Sequence, residues 1–249
     1  LNPQLFGLAD KVSAVKLILI LTAVWWVLFS LPLWFWVPEP SAPTQREPLR
    51  KTVRDAFGQL AQTFRHVRGY KPVYMFLIAY WVYIDGVNTI IQMAVDYGRA
   101  IGFTTNDLIG AIVLVQFIGI PAALAFGRIG ERIGAKRGIF IGLAVYTLVS
   151  IFAAFMHSAW QFYVLAAMIG LVQGGVQLLS RSYYARLVPP ERAGEFFGFY
   201  NMLGEFAAII GPVLIGTVSV LTHSPRISIL SVIVLFAVGA VLLGRVQRD

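Results

Sequence analysis

The chain has 249 residues, 58% of them hydrophobic and only 13% charged, with a net charge of +8 and no cysteine. Soluble domains average roughly 25% charged residues, and half that leaves too little polar surface to cover a globule. The lack of cysteine excludes disulfides, thiolate metal sites and a cysteine nucleophile, and the positive charge is no nucleic-acid footprint, because it falls on short segments between long apolar runs.

The first of these runs, 17–37, holds no charge at all. A spanning helix needs about 20 mostly apolar residues to cross a hydrocarbon core about 30 Å thick. By that measure further spans are predicted at 73–95, 107–126, 138–156, 161–180, 196–220 and 227–244. They are too many and too dispersed to be a signal peptide. The expected fold class is an all-α membrane protein with seven transmembrane helices.

Between the first two spans, 38–72 is rich in proline and then basic. Within it, from Lys51 to Tyr70, Val53, Phe57, Leu60, Phe64 and Val67 recur at helical spacing, while Arg54, Arg65 and Arg68 fall largely elsewhere. That pattern predicts an amphipathic helix on the cytoplasmic membrane face; a solvated linker with helical bias is the alternative.

Lys and Arg are unevenly shared between alternate sides. Segments 38–72, 127–137, 181–195 and the C-terminal tail hold 16, against four (Lys11, Lys16, Arg99 and Arg226) on the other side. The positive-inside rule puts the richer side, with the C-terminus, in the cytoplasm. An odd number of spans starting outside, in a chain beginning with Leu, leads to the expectation that earlier spans are missing.

Polar side chains inside the spans are costly and face a protein interior or a cavity. Spans one, four and seven carry no charged or amide group. The others carry Asp85, Asn88 and Gln92 in span two, Gln116 in span three, Gln173 and Gln177 in span five, and Asn201 and Glu205 in span six. A period of three is what a three-helix repeat gives when two helices line a cavity and the third packs outside, as in secondary transporters; interhelical glue is the plainer reading. Asp85, Asn88, Thr89 and Gln92 form one helical stripe. At a rise of about 1.5 Å per residue, Asp85 lies about 18 Å from its inner end, Glu205 about 14 Å, and Gln116 about 14 Å from its outer end, near the bilayer middle. Asp85 and Glu205 are thus the two candidate proton carriers. Asp85 is favoured because water and substrate would reach its stripe, its alternative being a structural helix–helix hydrogen bond. Glu205 is expected to pair with a base such as Arg181 or one on the missing half. Gly170 and Gly174 form a small-xxx-small face for close helix approach, and Gly211-Pro212 predicts a kink in span six. His66, His157 and His223 are scattered, with no shared role expected.

Between spans three and four the sequence reads GRIGERIGAKR. Gly127, Glu131, Arg132, Gly134, Lys136 and Arg137 match, at fixed spacing, a loop signature that resembles that of the major facilitator superfamily. Gly134 permits a tight reversal, and Glu131 is suited to a latch made in one conformation and broken in another. A basic loop that merely obeys topology is the alternative. The stretches AYWVYIDGVNTII (from Ala79) and SRSYYARLVPPERAGEFFGFYNMLGEFAAIIGP (from Ser180) further resemble the vacuole-effluxer-like family of autophagy-related amino-acid exporters. One departure is that the family is expected to carry Lys where Glu205 stands. The resemblance implies a twelve-helix fold of which this chain supplies helices six to twelve. Residues 1–37 would be the last helix of the N-terminal half with its outer loop, 38–72 the cytoplasmic central loop, and 73–249 the C-terminal six-helix bundle.

No phosphate loop, zinc motif or Gly-x-Ser-x-Gly elbow is present. The expectation is therefore a secondary transporter, not an enzyme, moving a small solute, amino acids by resemblance, by alternating access with proton coupling. Its alternative is a transporter-derived receptor or scaffold. The expected partners are the lipid bilayer, substrate, protons and the missing N-terminal half, with no cofactor and no nucleic acid. The expected location is a bacterial inner membrane.

Overall fold

The computed structural model describes residues 11–37 and 49–247, and every regular element among them is helical. Among the described residues seven segments are long and apolar enough to cross a membrane. The chain divides into two compact units, Leu1–Val53 and Arg54–Asp249. The first holds α1 (Lys11–Trp36), which runs through Pro32 without interruption. It is apolar on all sides, with Trp25, Trp26 and Trp34 exposed, as suits a helix among lipid tails.

α2 (Leu49–Gly69) begins in the first unit and runs into the second. Its C-terminal half docks on protein: Thr63 and Val67 are buried, Phe64 packs against Tyr74 and Phe199, and His66 Nδ1 lies 3.1 Å from Glu195 Oε1. Leu60 and Phe64 keep exposed surface, in line with an amphipathic helix; the side chains of Val53 and Phe57 lie outside the described residues.

The rest of the second unit is α3 (Lys71–Ala100), α4 (Thr105–Ile133), α5 (Ala135–Ala154), α6 (Ala159–Leu187), α7 (Ala193–Phe206), α8 (Ile210–Thr222), α9 (Pro225–Ser231) and α10 (Ile233–Gly244). Several helices run past the apolar stretches that announce them, α4 to Ile133 and α6 to Leu187 among them. α4 starts on a reciprocal cap in which Thr104 Oγ1 accepts from Asp107 N–H and Asp107 Oδ2 accepts from Thr104 N–H, both at 3.3 Å. Between α4 and α5, Gly134 has φ +90° and ψ 143°, which a residue with a Cβ rarely adopts, so the reversal read from the signature is made there.

α3 is the most buried span. α10 lies along it, α6, α7 and α8 meet its other sides, and α4 and α5 both pack on α6. Gly170 and Gly174 do admit close approach: a Cβ on Gly170 would stand 3.0 Å from the Val115 carbonyl oxygen, and one on Gly174 3.2 Å from Ala123 Cβ, both on α4. The apolar α5 and α10 stand behind α6 and α3, with Tyr146 stacked on Phe236 at 5.6 Å.

Span six departs from the kink expected at Gly211-Pro212. It is fully interrupted at 207–209, just ahead of that pair. Pro212 lies in the first turn of α8, where its missing N–H forfeits no helix bond.

Candidate functional site

A cleft of about 630 Å³ opens on the face shared by α3, α6 and α7. Ligand pockets run from about 300 to 1,000 Å³, so the space suits a small solute. Its lining carries Asn88, Gln177, Asn201 and Glu205 of the eight residues singled out in the spans, with Tyr80, Arg181 and Tyr200. Tyr80 and Tyr200 stack at 4.3 Å between centroids, and Tyr200 in turn stacks on Tyr184 at 4.9 Å. This aromatic wall joins α3, α6 and α7. The Arg181 guanidinium lies over the Phe197 ring, 5.4 Å from its centroid, which steadies a cation without neutralising it. Glu205 faces the same space, and among the described residues no ion pair joins the two. The cleft thus presents one positive and one negative group with amides and phenols between them.

The other predicted residues lie elsewhere. Gln116 and Gln173 line a smaller, mainly apolar cleft of about 130 Å³ between α3, α4 and α6. Gln92 is exposed on α3 and lines neither space. Asp85 is fully buried behind the main cleft. Its Oδ2 accepts from Ile210 N–H at 2.9 Å, and its Oδ1 accepts from Gly211 N–H at 2.8 Å and from the Thr89 hydroxyl at 3.3 Å. One turn on, Asn88 Nδ2 donates to the Ala207 carbonyl oxygen at 3.0 Å. Three of the four stripe residues therefore engage each other or the interruption in span six.

Arg181, Tyr80 and Tyr200 were not singled out as site residues from sequence. Arg181 carried a signal, since Gln173, Gln177 and Arg181 stand at i, i+4 and i+8. Ending the apolar run at 180 hid it, whereas α6 continues to Leu187 and keeps Arg181 on the cleft face.

The signature loop lies away from the cleft lining. Gly127 and Glu131 are on α4, Glu131 exposed and without an ion pair among the described residues; Arg132 is in the last turn of α4, and Arg137 is exposed on α5. Lys136 Nζ donates to the carbonyls of Gly244 at 3.1 Å and Val246 at 2.7 Å, and so ties the loop to the end of α10.

A family profile described as "Vacuole effluxer Atg22 like" matches residues 5–249. The chain is 38% identical over 237 residues to an uncharacterized MFS-type transporter, YxiO, of Bacillus subtilis, covering 95% of this chain and 55% of that protein. It is 24% identical over 230 residues to autophagy-related protein 22-2 of Aspergillus clavatus, covering 83% and 38%. Identity to autophagy-related protein 22 of Yarrowia lipolytica is 25% over 265 residues, covering 94% and 45%. The chain thus spans about half, or less, of the length of these curated relatives.

Proposed function

We propose that this chain, which belongs to the vacuole effluxer Atg22-like family, forms one wall of a secondary active transporter that moves amino acids by alternating access, coupled to protons. On this reading its seven spans are helices six to twelve of a twelve-helix fold, with 1–37 closing the first half, 38–72 the central cytoplasmic loop and 73–249 the second bundle. The open side of the cleft is where a second bundle would complete the site, in a bacterial inner membrane with the C-terminus cytoplasmic.

One observation carries the reading: Arg181 and Glu205 face one cleft of solute size from opposite ends of the charge scale, unpaired with each other among the described residues. A guanidinium receives a carboxylate and a carboxylate receives an ammonium, so the pair suits a zwitterion. Asn201, Gln177 and the tyrosine hydroxyls supply further polar contacts, and the stacked rings give an apolar side chain a surface. The description of the family profile, effluxer, and the name of the Bacillus relative, MFS-type transporter, favour the same class.

Counterflow of labelled leucine tests this in proteoliposomes that hold the chain together with the first bundle this reading requires, preloaded with unlabelled amino acids; the chain alone, being one wall, should move none. Saturable exchange is expected, and Arg181→Gln should raise KM roughly tenfold or more, since a hydrogen bond to a charged group contributes about 1.5–3 kcal/mol. Amino-acid binding that stabilises the protein without any exchange would favour a receptor instead.

A further inference from the structure

The interruption in span six leaves an accounting problem that α3 solves. The first amides of any helix have no partner within it. For α8 the usual remedy is missing, because the residue at the cap position is Ile209, whose side chain has no acceptor. The ladder resumes at Val213 N–H, which donates to the Ile209 carbonyl at 3.3 Å, and Pro212 has no N–H to satisfy. Two amides remain, those of Ile210 and Gly211, and both donate to the buried Asp85 carboxylate. On the other side of the gap the Ala207 carbonyl is met by Asn88. Gly211 is the residue that lets α3 come this near, since a Cβ there would collide with Thr89 Oγ1 and crowd Asp85 Oδ1.

The carboxyl oxygens of Asp85 meet the Ile210 and Gly211 N–H groups and the Thr89 hydroxyl. An acidic side chain at a helix N-terminus is matched to the unsatisfied amides and dipole there. The interrupted ends fix the frame of α7, which presents Tyr200, Asn201, Gly204 and Glu205 to the cleft.

We propose that Asp85 is a positioning residue that clamps the start of α8 and so holds the gap in span six and the cleft wall on α7, and that it is not the group that carries the transported proton. The role in transport rests on the function proposed above; the clamp itself does not. Asp85→Asn keeps the shape but turns an N–H donor toward one of the two amides.

Hydrogen exchange and transport are measured on the same reconstituted protein, this chain joined to the first bundle that the proposed function requires. In Asp85→Asn, protection should be lost in the segment 207–212 and nowhere else, and leucine exchange and uphill accumulation should fall by the same factor, with KM raised because the α7 wall of the cleft is no longer held. Thr89→Val, which removes one donor and keeps the carboxylate, should give a smaller loss of protection in the same segment and serves if Asp85→Asn does not fold. Unchanged protection in both variants would overturn the clamp. Retained exchange with accumulation alone abolished would overturn the positioning role, because Asp85 would then be the proton carrier. If the unsubstituted protein moves no leucine, the transport reading falls while the protection result still judges the clamp.

Discussion

At the scale of single residues the close contact at Gly211 is sharply constrained. A methyl group there meets the Thr89 hydroxyl oxygen and Asp85 Oδ1, two atoms already held in hydrogen bonds. Overpacking of this kind costs about 1–3 kcal/mol. Gly211→Ala should therefore lower the apparent melting temperature in detergent clearly. Gly216→Ala, one turn and a little further along α8 with nothing near its Cβ position, should change it little or raise it through better helix propensity; equal effects would show that the contact is not tight. Sequence alone made the stripe Asp85, Asn88, Thr89 visible, because i, i+3, i+4 spacing is local. It did not show what the stripe faces. The donors and the acceptor it meets are backbone groups 119 to 126 residues away, and backbone groups carry no mark in a sequence. A carboxylate awaiting a helix end and one awaiting a proton look alike until the partner is seen.

Among the elements, interruptions and ends carry more information than the helices. The spans were legible because apolar length is decisive in a membrane. The point where span six breaks was not, because proline draws attention to itself while the break falls at Ala207 to Ile209, whose identities are unremarkable for a helix. α10 shows the converse. The Arg245 and Val246 amides take the carbonyls of Val241 to Leu243, and Lys136 of the signature segment donates to the carbonyl of Gly244, the last residue of α10, and to that of Val246 just past it. A cation at a helix C-terminus is also favoured by the dipole. Lys136→Met keeps the apolar stem and removes the ammonium, so it should destabilise the bundle by about 1–2 kcal/mol, between the dipole contribution and that of charged hydrogen bonds. Trypsin should then cut the C-terminal tail near Arg245 sooner, with leucine KM unaltered since Lys136 is far from the cleft lining. A tail equally resistant in both proteins would mean that Lys136 does not hold it. The turn at Gly134 was thus readable, but the rest of the segment read as a loop continues α4 to Ile133 and opens α5 at Ala135, and the α10 end that Lys136 caps lies more than a hundred residues on.

Taken as a whole, the six-span unit sorts its charges by end, and side-chain contacts show this independently of hydropathy. Lys136 bonds the end of α10, which places the signature loop beside the C-terminal tail. His66 meets Glu195, and Tyr70 packs edge-on against Phe196 at 5.7 Å, which places the end of α2 beside the start of α7. At the opposite end Arg226 donates to the Met156 carbonyl at 3.1 Å and lies 2.8 Å from His157 Nε2, joining the α5–α6 turn to α9. The first end gathers Arg65, Arg68, Lys71, Arg128, Arg132, Lys136, Arg137, Arg186, Arg192 and Arg245, while the second has Arg99 and Arg226. Cytoplasmic loops hold the excess of Lys and Arg, because translocating them is disfavoured. The first end should therefore face the cytoplasm. The chain has no cysteine, so single cysteines report their side without background. Asn106, at the start of α4, and Gln247, just past α10, are both exposed. An impermeant maleimide applied to intact cells should label Asn106→Cys and leave Gln247→Cys unlabelled until the membrane is permeabilised. The reverse pattern would invert the topology, and equal labelling of both in intact cells would mean that the two ends do not lie on opposite sides of a bilayer.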